Sequence, residues 1–254
     1  MQNFQEDNKM EKIITLITGA ERGMGLVTAK ELGKHGQQII IGAYDMDLGA
    51  QAVKELEELG IQADLYKCDV TKREEIKALA EAIDEKYGYL SILINNAGIA
   101  GPMTPPSLTS EADLRKTMET NFFGATAMVQ EFLPLLKKSE SAKIINISSD
   151  LGSLTLASDK DHPLYAFNAF AYSASKAATN FITVAFAKEL ADTNITVNSV
   201  NPGMTATDLI NKKAFEENGA KTPEQGAART IELALSEDNS LTGTFTQDTG
   251  SLPW

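Results

Sequence analysis

The chain has one cysteine, Cys68, and two histidines, His35 and His162, in 254 residues. One thiol excludes an intrachain disulfide framework and any multi-cysteine zinc site, and two imidazoles are too few for most metal clusters, so no metal is expected. Cys68 reads most simply as a buried strand residue. Positive charge is also scarce, with 23 Lys+Arg against 35 Asp+Glu and a formal net charge of −12. That balance is wrong for a phosphate backbone or an anionic bilayer, so neither nucleic acid nor membrane is expected as a partner. No apolar run approaches the ~20 residues of a membrane span, and the polar start Met1 to Lys9 lacks the basic and apolar regions of a signal peptide. These absences predict a cytoplasmic protein with a disordered tail over residues 1–10. The remaining residues, 11–254, are expected to form a single domain, a common size for an α/β fold.

What is present is alternation. Ile13–Ile17 is a short β-branched run ending in a Gly-rich turn, and Met24–His35 carries helical apolar spacing before Gly36 stops it. The pattern repeats as strand Gln38–Ile41, helix Leu48–Leu59, strand Ala63–Cys68, helix Lys72–Tyr87 and strand Leu90–Ile94. After the Pro-rich loop Gly101–Pro106 come a long helix, about Glu111–Lys138, strand Lys143–Ile147, a helix through Tyr172 to about Ala191, and strand Thr196–Val200. Such alternation predicts a Rossmann-type, doubly wound parallel sheet of about seven strands with helices on both faces. Ligands on such sheets bind at the carboxyl ends of the strands.

Two of those ends carry chemistry. In Thr18-Gly-Ala-Glu-Arg-Gly-Met-Gly25, Gly19, Gly23 and Gly25 let the backbone turn tightly beside a pyrophosphate, while the following helix offers free N–H groups. A Gly-rich turn alone is weak evidence, but this one follows a strand and opens a helix. In Tyr172-Ser-Ala-Ser-Lys176 the four-residue spacing puts a phenol and an ammonium on one helix face. A neighbouring ammonium favours the phenolate, so Lys176 is expected to lower the Tyr172 pKa toward the working range. The bland reading of Tyr-x-x-x-Lys, a solvated helix face, yields only to the rest of the chain.

Together these motifs resemble the short-chain dehydrogenases/reductases, whose turn reads T-G-x-x-x-G-x-G, over Ile13 to about Phe245. The resemblance implies that Glu21, Arg22 and Met24 of the turn contact a nicotinamide cofactor. Asp69 and Val70 resemble the pair that meets adenine, and Asn95, Ala97 and Gly98 belong to the family's N-N-A-G. Asn121 resembles the asparagine of a water relay, Ser149 the serine that holds the substrate oxygen, and Tyr172 and Lys176 the catalytic pair, with Lys176 also on the cofactor ribose. Pro202, Gly203, Thr205 and Thr207 resemble the loop that closes on the nicotinamide.

The implied activity is reduction of a ketone or aldehyde to an alcohol, in the manner of carbonyl reductases. The cofactor turns on the end of the second strand. A carboxylate there would accept the ribose 2′-hydroxyl of NAD, but the position is Ala43, followed by uncharged Tyr44. Arg22 stands where a basic residue in the family marks a 2′-phosphate, so NADPH is expected and NAD less so; Asp45 keeps the latter open. The alternatives are an NAD-dependent alcohol or polyol dehydrogenase, an enoyl reductase, and a non-catalytic dinucleotide-binding regulator. Two features depart from the family. The Ser149–Tyr172 interval is long and carries Tyr165, Phe167 and Phe170, reading first as a surface loop and then as a wall of the substrate site. The glycine-rich end after the last strand is reduced, which leaves a homo-oligomer open.

Overall fold

The computed structural model describes residues 11–206 and 219–254. The expected tail at 1–10 and Thr207 lie outside the described residues.

Hydrophobic patterning explains the sheet. In the strands β1 (Ile14–Thr18), β2 (Gln38–Ala43) and β5 (Ala142–Ile147) every residue is buried. Successive side chains point to opposite faces. Leu16, Ile40 and Ile144 therefore join one core, and their neighbours Ile17, Ile39, Ile41 and Ile145 join another. The first core is covered by α3 (Arg73–Tyr87) and α5 (Ala125–Leu136), the second by α1 (Gly23–Lys34) and α2 (Met46–Glu58). Burying each such aliphatic side chain contributes about 1.5–3 kcal/mol before entropy is counted.

The remaining strands are β3 (Ala63–Lys67), β4 (Ile92–Asn95), β6 (Ile195–Val200), β7 (Thr244–Gln247) and β8 (Gly250–Ser251). The spatial order is β3-β2-β1-β4-β5-β6-β7-β8, parallel except for the antiparallel β7–β8 pair. The sequence implied about seven strands, and β8 is the addition. It is two residues long and rests on turn geometry rather than on any apolar pattern. Helices α4 (Glu111–Met118) and α5 are joined through a π-helical stretch, Glu119–Gly124, so the long helix of the sequence is widened in its middle. The interval after Ser149 is not one loop. It forms the short helix α6 (Leu154–Ser158) and a 3₁₀ turn, Pro163–Ala166, before α7 (Phe170–Glu189). Helix α8 (Pro223–Leu235) is opened by a capping box between Thr222 and Gln225.

A buried polar chain ties the strand ends to α7. Asn95 Nδ2 donates to Asn146 Oδ1 (2.8 Å), Asn146 Nδ2 to Thr183 Oγ1 (2.8 Å), and Thr183 shares a hydrogen bond with Ser199 (2.8 Å). It links β4, β5, α7 and β6, and it fixes α7 where Tyr172 and Lys176 overhang the carboxyl end of β5.

Candidate active site

The Gly-rich turn is held in shape from two sides. Gly19 and Gly23 have φ of 66° and 57°, the left-handed region that favours glycine. A Cβ on Gly25 would lie 2.6 Å from the Gly19 carbonyl oxygen and 2.7 Å from Asn96 Nδ2. Asn96 in turn donates through Nδ2 to the Thr18 and Gly19 carbonyls (2.9 and 3.0 Å), while the Asn96 and Ala97 N–H groups donate to Thr18 Oγ1. Arg22 is the N-cap of α1 in extended backbone, and its side chain makes no capping hydrogen bond to the helix. Glu21 is nine-tenths buried; its Oε1 accepts from the Tyr44 N–H (3.3 Å), and its Oε2 has no partner among the described residues. Orphaned acceptors, a helix N-terminus without a side-chain cap and a cradle that a methyl group would fill suit a dinucleotide's hydroxyls and pyrophosphate.

The other expected contacts divide. Met24 lies beside α8, since a Cβ on Gly226 would meet its sulfur at 2.9 Å. Asp69 Oδ1 accepts from Thr71, through its N–H (3.0 Å) and its hydroxyl (2.7 Å), closing the turn after β3. Val70 is buried against Gly124, where a Cβ would come within 2.8 Å. Asn95 lies in the buried polar chain, with Oδ1 unpartnered. Pro202 and Gly203 follow β6, and Thr205 Oγ1 donates back to the Gly203 carbonyl (3.1 Å). Lys221 lies against Gly203 and pairs with Asp248 (2.7 Å).

Two of the four expected catalytic residues, Asn121 and Lys176, come together around Gly98. A Cβ there would meet Asn121 Oδ1 at 3.2 Å and Lys176 Nζ at 3.7 Å. Asn121 is buried in the π-helical stretch; its Oδ1 accepts from the Ile99 N–H (2.9 Å), and its Nδ2 donates to the Ile99 carbonyl and Ser175 Oγ (each 2.9 Å). Both amide protons are thereby used. Ser149 Oγ accepts from the Leu151 N–H (3.2 Å) and lies 3.1 Å from Asp150 Oδ1. Its hydroxyl also acts on Tyr172, drawing the phenol pKa down.

One expectation is overturned. Tyr172 is half-buried, and its pKa is raised to about 12, not lowered. Burial is the main cause because it strips water from the phenolate; the Ser149 hydroxyl opposes it, and the Asp150 carboxylate adds to it. Lys176, buried beneath, donates to the Ile147 carbonyl (2.7 Å) and lies 5.6 Å from the centre of the tyrosine ring. Burial lowers its own pKa to about 8.

The family model described as short chain dehydrogenase matches residues 13–218. The chain belongs to the short-chain dehydrogenases. It is 27% identical to carbonyl reductase [NADPH] 1 of Rattus norvegicus, over 96% of this chain and 99% of that one. A short-chain dehydrogenase of Shigella flexneri solved with NADP superposes with a TM-score of 0.81 at 26% identity, covering 92% and 96% of the two chains. An NAD⁺-bound xylitol dehydrogenase shares the fold, with a TM-score of 0.81 and 22% identity over 94% and 99%. As a short-chain dehydrogenase the protein is an oxidoreductase with a nucleotide cofactor and a small-molecule substrate, and among the described residues no helix is long and apolar enough to cross a membrane.

Two residues beside the candidate site carry no signal of their own in the sequence. Asn96 is one letter of a motif there, although its amide holds the Gly-rich turn in shape. Lys67 carried no motif signal, yet it stands over Tyr44.

Proposed function

We propose that this short-chain dehydrogenase reduces a ketone or aldehyde carbonyl to an alcohol at the expense of NADPH, in a cytoplasmic setting. The observation that carries the reading is the grouping at the end of β5, where the Lys176 ammonium lies against the Tyr172 ring and Ser149 follows the strand. The phenol carries its proton at neutral pH, and because burial makes it a weak acid, donation depends on a charge that stabilises the phenolate as it forms. Ser149 orients the carbonyl oxygen toward the phenol. As the phenol gives up its proton, the ammonium of Lys176 beneath the ring stabilises the nascent phenolate, so its charge acts mainly in the transition state. Lys176 also serves the cofactor ribose. Asn121 keeps one Oδ1 lone pair for a water on the route to Lys176.

The residues that would hold the cofactor are Gly19, Glu21, Arg22, Gly23, Met24 and Gly25 at the turn, Tyr44, Asp69 and Val70 at the adenosine, and Asn95, Ala97, Gly98, Pro202, Gly203 and Thr205 toward the nicotinamide. When bound, NADPH supplies the hydride. Preference for it over NADH is supported by the end of β2. Ala43 is buried and uncharged, and Asp45, the carboxylate that kept NADH open, spends Oδ1 on the Asp47 and Leu48 N–H groups as the N-cap of α2. Arg22 supplies charge for a 2′-phosphate. The test is a panel of ketones and aldehydes assayed for NADPH and NADH oxidation. Carbonyl reduction with higher kcat/KM for NADPH is expected; turnover of alcohols with NAD alone would overturn the reading.

A further inference from the structure

Lys67 is the last residue of β3, and in the parallel β2–β3 pair it stands in register with Ala43. The position where an NAD-type carboxylate would lie is thus flanked, from the next strand, by a cation. The Lys67 ammonium lies 4.6 Å from the centre of the Tyr44 ring and donates to the Tyr44 carbonyl. Both side chains are exposed, Tyr44 by 65%.

We propose that Lys67, acting from the third strand, is a specificity-determining cation that recognises the 2′-phosphate of NADPH. The inference rests on the NADPH reading above and deepens it. An ammonium has three protons to donate, and the Tyr44 carbonyl takes one, so two remain for phosphate oxygens. The ring contact and the carbonyl bond hold a long, flexible side chain near one place, which reduces the entropy lost when an anion arrives. The electrostatic setting calls for such a group. Glu21 reaches Tyr44 from inside and Asp45 follows it, two carboxylates that oppose a phosphate within a chain of net charge −12. Arg22 and Lys67 together match them.

The test uses the whole protein and measures binding without turnover. Titration calorimetry with adenosine 2′,5′-bisphosphate and with adenosine 5′-monophosphate is run on the wild type, Lys67→Gln and Lys67→Arg. The wild type should favour the bisphosphate. Lys67→Gln should weaken the bisphosphate by roughly 10-fold, the lower end for a charge-assisted contact because the site is exposed, and leave the monophosphate within about twofold. Lys67→Arg should retain most of the preference. If the wild type binds both nucleotides alike, the NADPH reading fails and this proposal with it. If the wild type favours the bisphosphate and Lys67→Gln keeps that preference, NADPH stands and Lys67 has no part in it. Equal weakening of both nucleotides by Lys67→Gln would reduce Lys67 to a support for Tyr44 and overturn the phosphate role.

Discussion

Lys176 Nζ donates to the Ile147 carbonyl at 2.7 Å while lying 5.6 Å from the centre of the Tyr172 ring. The lysine therefore points at the end of β5 and passes beneath the phenol instead of bonding its hydroxyl. Tyrosine and lysine act on different partners, so their substitutions should separate. Tyr172→Phe should cost about 10²–10⁴-fold in kcat and leave NADPH affinity, followed by quenching of Trp254 fluorescence or by calorimetry, nearly unchanged. Lys176→Ala should impair both turnover and affinity, since its two proposed jobs lie on different ligands.

Burial lowers the Lys176 pKa to about 8, below its value in the unfolded chain. The folded state then binds fewer protons than the unfolded one from about pH 8 upward to the ordinary lysine range. In that window this group makes stability rise with pH; below it, both states are protonated and the cost of burying the charge is felt in full. Urea unfolding at pH 7, 8, 9 and 10 should show the wild type gaining on Lys176→Met as pH increases. A constant gap would mean that the lysine titrates normally.

The proposed NADPH preference turns on the charge at the end of β2. Ala43→Asp should shift the NADPH/NADH ratio of kcat/KM toward NADH, because a carboxylate there accepts a 2′-hydroxyl and repels a 2′-phosphate. Arg22→Ala should weaken NADPH by roughly 10- to 100-fold and NADH little. Equal weakening of both cofactors by Arg22→Ala would remove the phosphate contact from Arg22.

Gly25→Ala places a methyl group 2.6 Å from the Gly19 carbonyl and 2.8 Å from Ala20 Cα, against backbone that has no rotamer to change. Cofactor affinity should fall by more than about 10-fold, with a loss of 1–3 kcal/mol in stability from overpacking. Gly36→Ala has no atom within 4 Å and separates the two contributions: its φ of 83° costs stability, but the cofactor turn is untouched.

Tyr165 and Phe167 are 52% and 48% exposed, in an interval moored at both ends. Ser153 Oγ and the Thr155 N–H donate to the Pro253 and Trp254 carbonyls, and the Phe170 N–H donates to the Thr104 carbonyl. If the rings line the substrate site, Tyr165→Ala and Phe167→Ala should raise KM for bulky ketones with little change in Tm. Unchanged KM across a panel of differently sized ketones would place the rings outside the site.

Elements were legible in the sequence where one periodicity ruled. The β-branched runs of β1, β2, β5 and β6 and the apolar spacing of α1 to α3 fall within a few residues of the observed bounds. The nearness of Asn121 and Lys176 to Gly98 could be anticipated because both lie on helices beside a strand end. What escaped depends on contacts distant in sequence. Lys67 acquires meaning through its register with Ala43 on another strand, which no local pattern encodes. The π-helical stretch at Glu119–Gly124 has ordinary helical composition, and its widening is settled by what packs there: Gly124 against Val70, and Asn121 on Ile99 and Ser175. The raised Tyr172 pKa follows from burial, whereas Tyr-x-x-x-Lys spacing alone suggests the opposite sign.

The polar chain Asn95–Asn146–Thr183–Ser199 also constrains strand register. Side chains alternate along a strand, so a one-residue slip of β5 against β4 would turn Asn146 out of the polar seam into an aliphatic layer and bring Ile145 or Ile147 opposite Asn95. Aliphatic β4 and β5 would tolerate several offsets almost equally well; the amides do not, because each buried unpaired polar group costs about 1–3 kcal/mol. Mispaired collapsed states would thus carry a penalty that the native pairing avoids, and the seam that holds α7 in place also selects which alignment of the central strands survives.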